Sequence, residues 1–175
     1  MPHAVRQALA SRPDSQLRVR LWLRLLASTE MVLVRLRCGL RDEFGITLSA
    51  FDLMAQIQRP PRGPTMIELS RRLLVTKSNV SDGVERLEAK QLVERRPDPD
   101  DARLQHIHLT PAGEELLARI MPRHRVWIEE MLGAIDEPMA ASLYDELSVL
   151  KAAISRAVNQ AGKSGRHPRT TRRST

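Results

Sequence analysis

Residues 67–113, IELSRRLLVTKSNVSDGVERLEAKQLVERRPDPDDARLQHIHLTPAG, decide the fold. Ile67, Leu69, Leu73 and Leu74 recur at helical spacing behind the pair Thr65 and Glu68, a capping box in which each side chain satisfies the other's backbone N–H. Thr76 is a second N-cap, and the helix it opens turns Val80, Val84 and Leu87 inward. About three residues separate the two helices, the spacing of a helix-turn-helix. The apolar period then shortens to two. LVERR and LQHIHL read as short strands on either side of a polar, proline-bearing bend. Thr110 and Pro111 open another helix, threonine as the cap and proline at the first helical position, where its missing N–H has no partner to lose.

Outward from this block the chain is helical in both directions. Leu17, Leu21, Leu25, Leu26, Val32, Leu33, Leu36 and Leu40 form the stripe of a long helix ending near Gly45. Ser49 precedes FDLMAQI with Asp52 three residues on, which predicts an N-cap at Ser49. The prolines of PPRGP, residues 60–64, end this second helix. Beyond Thr110, a helix runs through Leu116, Leu117 and Ile120 toward Met131 with a kink expected at Pro122, and Asp136 starts a last helix carrying Met139, Leu143, Leu147, Leu150, Ile154 and Val158 on one face. The fold class is therefore mainly α with a small β-hairpin wing. Residues 1–16 are expected to be a flexible N-terminus, 17–161 a single domain with its winged helix over about 47–110, and 162–175 a disordered basic tail.

The 175 residues, 42% of them hydrophobic, suffice for one sizeable core. Aromatics make up only 3%, so Leu, Ile, Val, Met and Ala must fill it. Of the net charge of +7, five units sit in the tail on Lys163, Arg166, Arg169, Arg172 and Arg173, so nucleic-acid binding by the body must be argued from where its charges lie. The ratio of 24 arginines to 4 lysines is read as genomic base composition. Cys38 is the only cysteine; no intrachain disulfide is possible, and a packed, inert thiol in a reducing compartment is expected. Apolar runs are too short to span a membrane and the start lacks a signal-peptide core, which points to a cytoplasmic protein.

Enzymatic chemistry has no carrier. There is no nucleophile elbow, phosphate loop, HExxH or cysteine pair, and Asp100 and Asp101 adjoin in a solvated bend. His106 and His108 share a strand face without a third ligand in reach by spacing, so they are read as exposed strand histidines, with no metal and no cofactor.

A helix-turn-helix followed by a hairpin is a winged helix, and here it resembles the MarR family of bacterial regulators over roughly residues 17–160. The resemblance is carried by residues 67–113, most specifically by Asp98-Pro99-x-Asp101-x-Arg103 followed by Leu109-Thr110-x-x-Gly113. It implies that Arg103 enters a DNA minor groove with Asp101 as its buttress, and that Thr76, Lys77, Ser78, Asn79, Ser81 and Arg86 of the recognition helix meet double-stranded DNA. Asp82 departs from the family pattern, which carries a neutral or basic residue there. The resemblance also implies a homodimer paired through the first and last helices, about 17–45 and 111–160, and a pseudo-palindromic operator read by two recognition helices roughly 34 Å apart. The function implied is that of a ligand-responsive repressor. Its effector would be a small aromatic or phenolic compound or the coenzyme A thioester of one, in a cleft for which Trp22, Arg24 and Met54 are candidate linings. The alternative is a winged helix used as a protein-interaction module, which would bind no operator.

Overall fold

Pro13 begins the first helix, four residues inside the segment expected to be flexible, because proline is well suited to a helix's first turn. A computed structural model describes residues 13–60, 62–101 and 103–164, with side chains described from 16 to 160. The rest of the N-terminal segment and the tail from residue 165 lie outside the described residues; Gly162 to Ser164, assigned to the tail on sequence, are still helical. The elements are α1 (Pro13–Phe44), α2 (Leu48–Gln58), α3 (Met66–Leu73), α4 (Lys77–Ala89), β1 (Val93–Pro97), β2 (Gln105–Leu109), α5 (Pro111–Leu132) and α6 (Glu137–Ser164). They fall into two compact units that divide between Met131 and Leu132.

In the first unit, Gly45 leaves α1 with a left-handed φ of 64°, and the chain is already extended at Thr47. Thr47, not Ser49, is therefore the N-cap of α2: its hydroxyl accepts the Ala50 N–H at 3.2 Å, while Ser49 sits one residue inside the helix. The point at which α1 releases the chain sets the cap, and a Ser–Asp spacing carries no information about that. The other caps lie where local spacing places them. Thr65 and Glu68 make both bonds of the capping box, the Thr76 hydroxyl accepts the Asn79 N–H at 3.3 Å, and the Thr110 hydroxyl accepts the Gly113 N–H at 3.1 Å while donating to the Gln91 carbonyl. α5 runs through Pro122 without interruption.

The core of this unit joins all its elements: Leu36 and Leu40 of α1, Phe51, Met54 and Ile57 of α2, Leu69, Val80, Val84 and Leu87 of the helix-turn-helix, Ile107 of the wing, and Leu117, Ile120 and Trp127 of α5. Trp127 is the pin between α1 and α5. Its ring is fully buried against Gly39, where a β-carbon would come within 2.6 Å of it, with Phe44 edge-on at 6.3 Å. The Arg35 and Arg123 guanidinium groups lie 5.3 and 5.8 Å from the ring centre, and Arg123 makes a two-pronged ion pair with Glu43.

Residues 93–97 pair antiparallel with 105–109, Arg95 opposite Ile107 and Arg96 opposite His106. The hairpin has a third neighbour. The Ile107 N–H donates to the Pro64 carbonyl at 2.9 Å, and Thr65 forms a bridge with His106, so Pro64 and Thr65 lie along the outer edge of β2. Gly63 permits that approach: its φ is +69°, and a β-carbon there would collide with the Ile107 carbonyl. The second unit begins at Leu132. Asp136 caps α6 by accepting the Met139 N–H at 2.9 Å, and α6 leaves Met139, Leu143, Leu147, Ile154 and Val158 exposed.

Candidate DNA-binding surface

α4 buries Val80, Val84 and Leu87. At 100° per residue the opposite face centres on Ser78, Asp82 and Glu85, flanked by Asn79 and Arg86 on one side and by Lys77 and Ser81 on the other. Thr76, Lys77, Ser78, Asn79 and Arg86 are all exposed, as the sequence reading requires of a surface that meets DNA. Ser81 is half-buried and donates to the Glu85 carboxylate at 3.1 Å, so its hydroxyl is already engaged. Two acids thus stand at or near the middle of the outward face. Asp82 was visible in the sequence, but Glu85 acquires its role only from the helix it lies on.

The turn between α3 and α4 is held by the Ser70 hydroxyl, which donates to the Val75 carbonyl at 2.7 Å. Leu74 occupies this turn with a left-handed φ of 55° and 91% of its surface exposed. Leucine rarely adopts that conformation.

At the wing bend, the Asp98 carboxylate accepts the N–H groups of Asp100 and Asp101 at 2.8 and 3.1 Å. The Asp101 carboxylate in turn accepts the Arg103 backbone N–H at 3.0 Å. Asp101 thus holds Arg103 through its backbone, and the Arg103 guanidinium pairs with no carboxylate among the described residues. A carboxylate two residues back meets the amide before it can follow a long, exposed side chain. Arg103 projects into solvent at the wing tip. Arg95 and Arg96 lie on opposite strand faces; Arg95 pairs with Glu88 of α4 at 3.1 Å and Arg96 with Glu94.

His106 and His108 are not the exposed strand histidines expected. Both are partly buried, with Gly63, Pro64 and Thr65 lying against β2. Burial lowers the pKa of His108, helped by the nearby Arg96 charge. His106 moves the other way: the Gly63 carbonyl on one ring nitrogen, and then Asp98 on the other, raise it. Asp98 is lowered by the Asp100 N–H and by His106. Among the described residues no cluster of three or more His, Cys, Asp or Glu is placed to hold a metal ion.

The three candidate effector residues do not come together. Met54 is fully buried in the core, whereas Trp22 and Arg24 are exposed on the first half of α1. A cavity of about 540 Å³ lies instead between the start of α2 and one flank of α4, with Ile46, Leu53 and Val80 as apolar walls and Asp52, Asn79 and Arg86 as polar ones. Burial raises the pKa of Asp52 there. This site was not legible in the sequence, since its walls come from segments about 30 residues apart.

A capped recognition helix, a three-residue turn before it and a hairpin after it define a winged helix-turn-helix protein. The MarR family model matches residues 44–104. A MarR family transcriptional regulator from Silicibacter pomeroyi, of known structure, is 30% identical, with 82% of this chain and 99% of that one superposed at a TM-score of 0.71. The chain belongs to the MarR family of transcriptional regulators, a family without enzymatic activity. The fold is also that of Sco3205 from Streptomyces coelicolor, a MarR family regulator solved in complex with DNA, at 24% identity and a TM-score of 0.72 over 82% of this chain and 92% of that one. Among curated relatives, the HTH-type regulator YsmB of Bacillus subtilis is 32% identical over 77 residues, 43% of this chain and 53% of the relative. The chain spans about half the length of the curated relatives it matches first. No helix among the described residues is long and apolar enough to cross a membrane.

Proposed function

We propose that the protein is a cytoplasmic repressor that binds a pseudo-palindromic operator as a homodimer and is released by a small effector. The observation that carries this reading is the pairing, within one unit, of an exposed recognition-helix start with a wing arginine whose guanidinium has no carboxylate partner among the described residues. Thr76, Lys77, Ser78 and Asn79 enter the major groove, where the free N–H groups of the helix start favour phosphate and the short polar side chains reach base edges. Arg86 contacts the flanking backbone and Arg103 the minor groove. Ser81 serves by orienting Glu85. Asp82 and Glu85 then act as selectors, accepting from cytosine amino groups and disfavouring other bases.

Dimerisation is assigned to the exposed apolar residues of α1 (Leu17, Leu21, Trp22 and Leu26 among them) and to those of α6. Each set lines up large apolar side chains along one helix, the kind of exposed patch that marks an interaction surface. The effector, a small aromatic or phenolic compound or the coenzyme A thioester of one, is assigned to the cavity beside α4. An occupant there touches Asn79 and Arg86 and shifts the balance only if it binds the free protein better than the DNA-bound one.

Selection of bound fragments from random duplex DNA tests the core of the reading. An inverted repeat with half-sites about one helical turn apart is the expected result. No enrichment even at low salt would overturn it in favour of a protein-interaction module.

A further inference from the structure

His106 has a partner on each ring nitrogen, and the proposed DNA contacts make no use of it. Its Nδ1 lies 2.9 Å from the Gly63 carbonyl oxygen and its Nε2 lies 2.8 Å from Oδ2 of Asp98. A carbonyl oxygen can only accept, so Nδ1 must carry a proton. Asp98 already accepts two backbone N–H groups on its other oxygen, an arrangement that favours the ionised carboxylate, so Nε2 must carry one too. A neutral imidazole has one N–H and can satisfy only one of the two partners. The geometry is that of an imidazolium.

The bonds of this ring run on without a break. The 60–65 turn leads into α3 and is held to β2 by the Ile107 N–H and by the Thr65 bridge. From the Gly63 carbonyl the chain of hydrogen bonds passes through His106 to Asp98, from Asp98 to the N–H of Asp101, and from the Asp101 carboxylate to the N–H of Arg103. The helix-turn-helix is in this way connected to the wing arginine by polar contacts of which His106 is the titratable link. Only 15% of the His106 side chain and 13% of the Asp98 side chain are exposed, so water replaces a lost bond poorly.

We propose that His106 is the positioning residue of the wing: while it is doubly protonated it holds the bend that presents Arg103, and its deprotonation loosens that bend and weakens DNA binding as pH rises. This rests on the reading of Arg103 as a DNA contact. Asp98 on the bend and Glu68 on α3 stabilise the His106 proton, and both raise its pKa. The one cation directly across the hairpin among the described residues, Arg96, is paired with Glu94, and burial lowers the pKa of His108 on the same strand. Because the folded pKa lies above the ordinary value of 6.5, both hydrogen bonds of the ring are complete below that value and one of them is lost as pH rises through the elevated one. The window opens upward from that ordinary value.

Nitrogen NMR of the imidazole, read alongside hydrogen exchange of the Asp100, Asp101 and Arg103 amides between about pH 6 and pH 9, tests this without DNA. Expected are two protonated ring nitrogens at pH 6, a titration midpoint above that of a free histidine, and a loss of wing-amide protection of roughly tenfold through the same midpoint, after correction for intrinsic exchange. His106→Gln keeps a donor toward Asp98 but cannot titrate, and should flatten the profile; Asp98→Asn should lower the His106 midpoint. A single ring N–H at pH 6, an unchanged midpoint in Asp98→Asn, or a wild-type amide profile in His106→Gln overturns the proposal. Affinity for a fixed duplex over the same pH range supplies the functional arm: a fall in the wild type that is absent from both His106→Gln and Arg103→Ala is expected, and an undiminished fall in His106→Gln overturns it. Wild-type affinity in Arg103→Ala would refute the DNA role of the wing, and the NMR result would still decide the His106 link.

Discussion

Replacing Arg103 with alanine separates a wing that reads DNA from a hairpin that only covers the core. The side chain is exposed and its guanidinium has no carboxylate partner among the described residues, so its removal breaks no intramolecular ion pair and uncovers no apolar surface. Stability should therefore stay within about 0.5 kcal/mol of wild type. For the same reason, no internal contact has to be given up when the guanidinium enters a narrow groove. The loss on DNA should be about 1–3 kcal/mol, roughly 5- to 150-fold in affinity, with the salt slope reduced by about one and a weaker preference for A·T pairs beside each half-site. Asp101→Ala removes only the acceptor of the Arg103 N–H, an exposed bond 3.0 Å long, and should weaken binding by about 0.5 kcal/mol through a less ordered bend. In the Arg103→Ala background the second change should add nothing, or help slightly by deleting a negative charge near phosphate. Anisotropy titrations of the four proteins on one duplex at several salt concentrations, beside thermal melts, give the whole cycle. A folded Arg103→Ala protein with wild-type affinity and salt slope would refute the reasoning, and an additive cycle would refute the route through Asp101.

Three further outcomes are expected. Leu74→Gly removes a left-handed strain of about 1–2 kcal/mol against an entropic loss of about 0.5–1, so the melting temperature should rise by a few degrees; a fall would show that this exposed side chain is covered by a partner. Gly63→Ala places a β-carbon against the Ile107 carbonyl at a positive φ and should destabilise the first unit by about 1–3 kcal/mol in a denaturant titration, with wing amides exchanging faster than those of α4; unchanged stability would mean that the turn is not held against β2. Leu147→Arg leaves an isolated α6 unharmed, since Leu147 is 46% exposed, but puts an unpaired charge into the proposed dimer interface and should abolish dimerisation and operator binding together. Sedimentation showing an intact dimer would place the interface elsewhere.

The amino-acid sequence by itself determines the order of elements and most of their ends. Thr65 with Glu68, Thr76 before KSNV and Thr110 before Pro111 are caps because each acceptor and its N–H lie within three residues of one another, so no distant contact can overrule them. The inward stripe Val80, Val84 and Leu87 and the alternation of the wing are equally local, and with them come the fold class and the outward face of α4. The family was legible for the same reason, its motif being one continuous run from the helix-turn-helix to Gly113. Only the tertiary structure decides what depends on segments far apart in the chain. Ser49 carries the right residue type for a cap, yet Thr47 takes the position because Gly45 ends α1 two residues before it. Met54 has the spacing of either a core or a cleft residue, and the packing of α2 on its neighbours places it in the core. His106 differs from His108 in no local property; its two ring bonds reach residues 43 and 8 positions away. Helical and strand periods say which way a side chain points, but the partner it meets there is set by how the 60–65 turn packs against β2, and no short-range pattern encodes that contact.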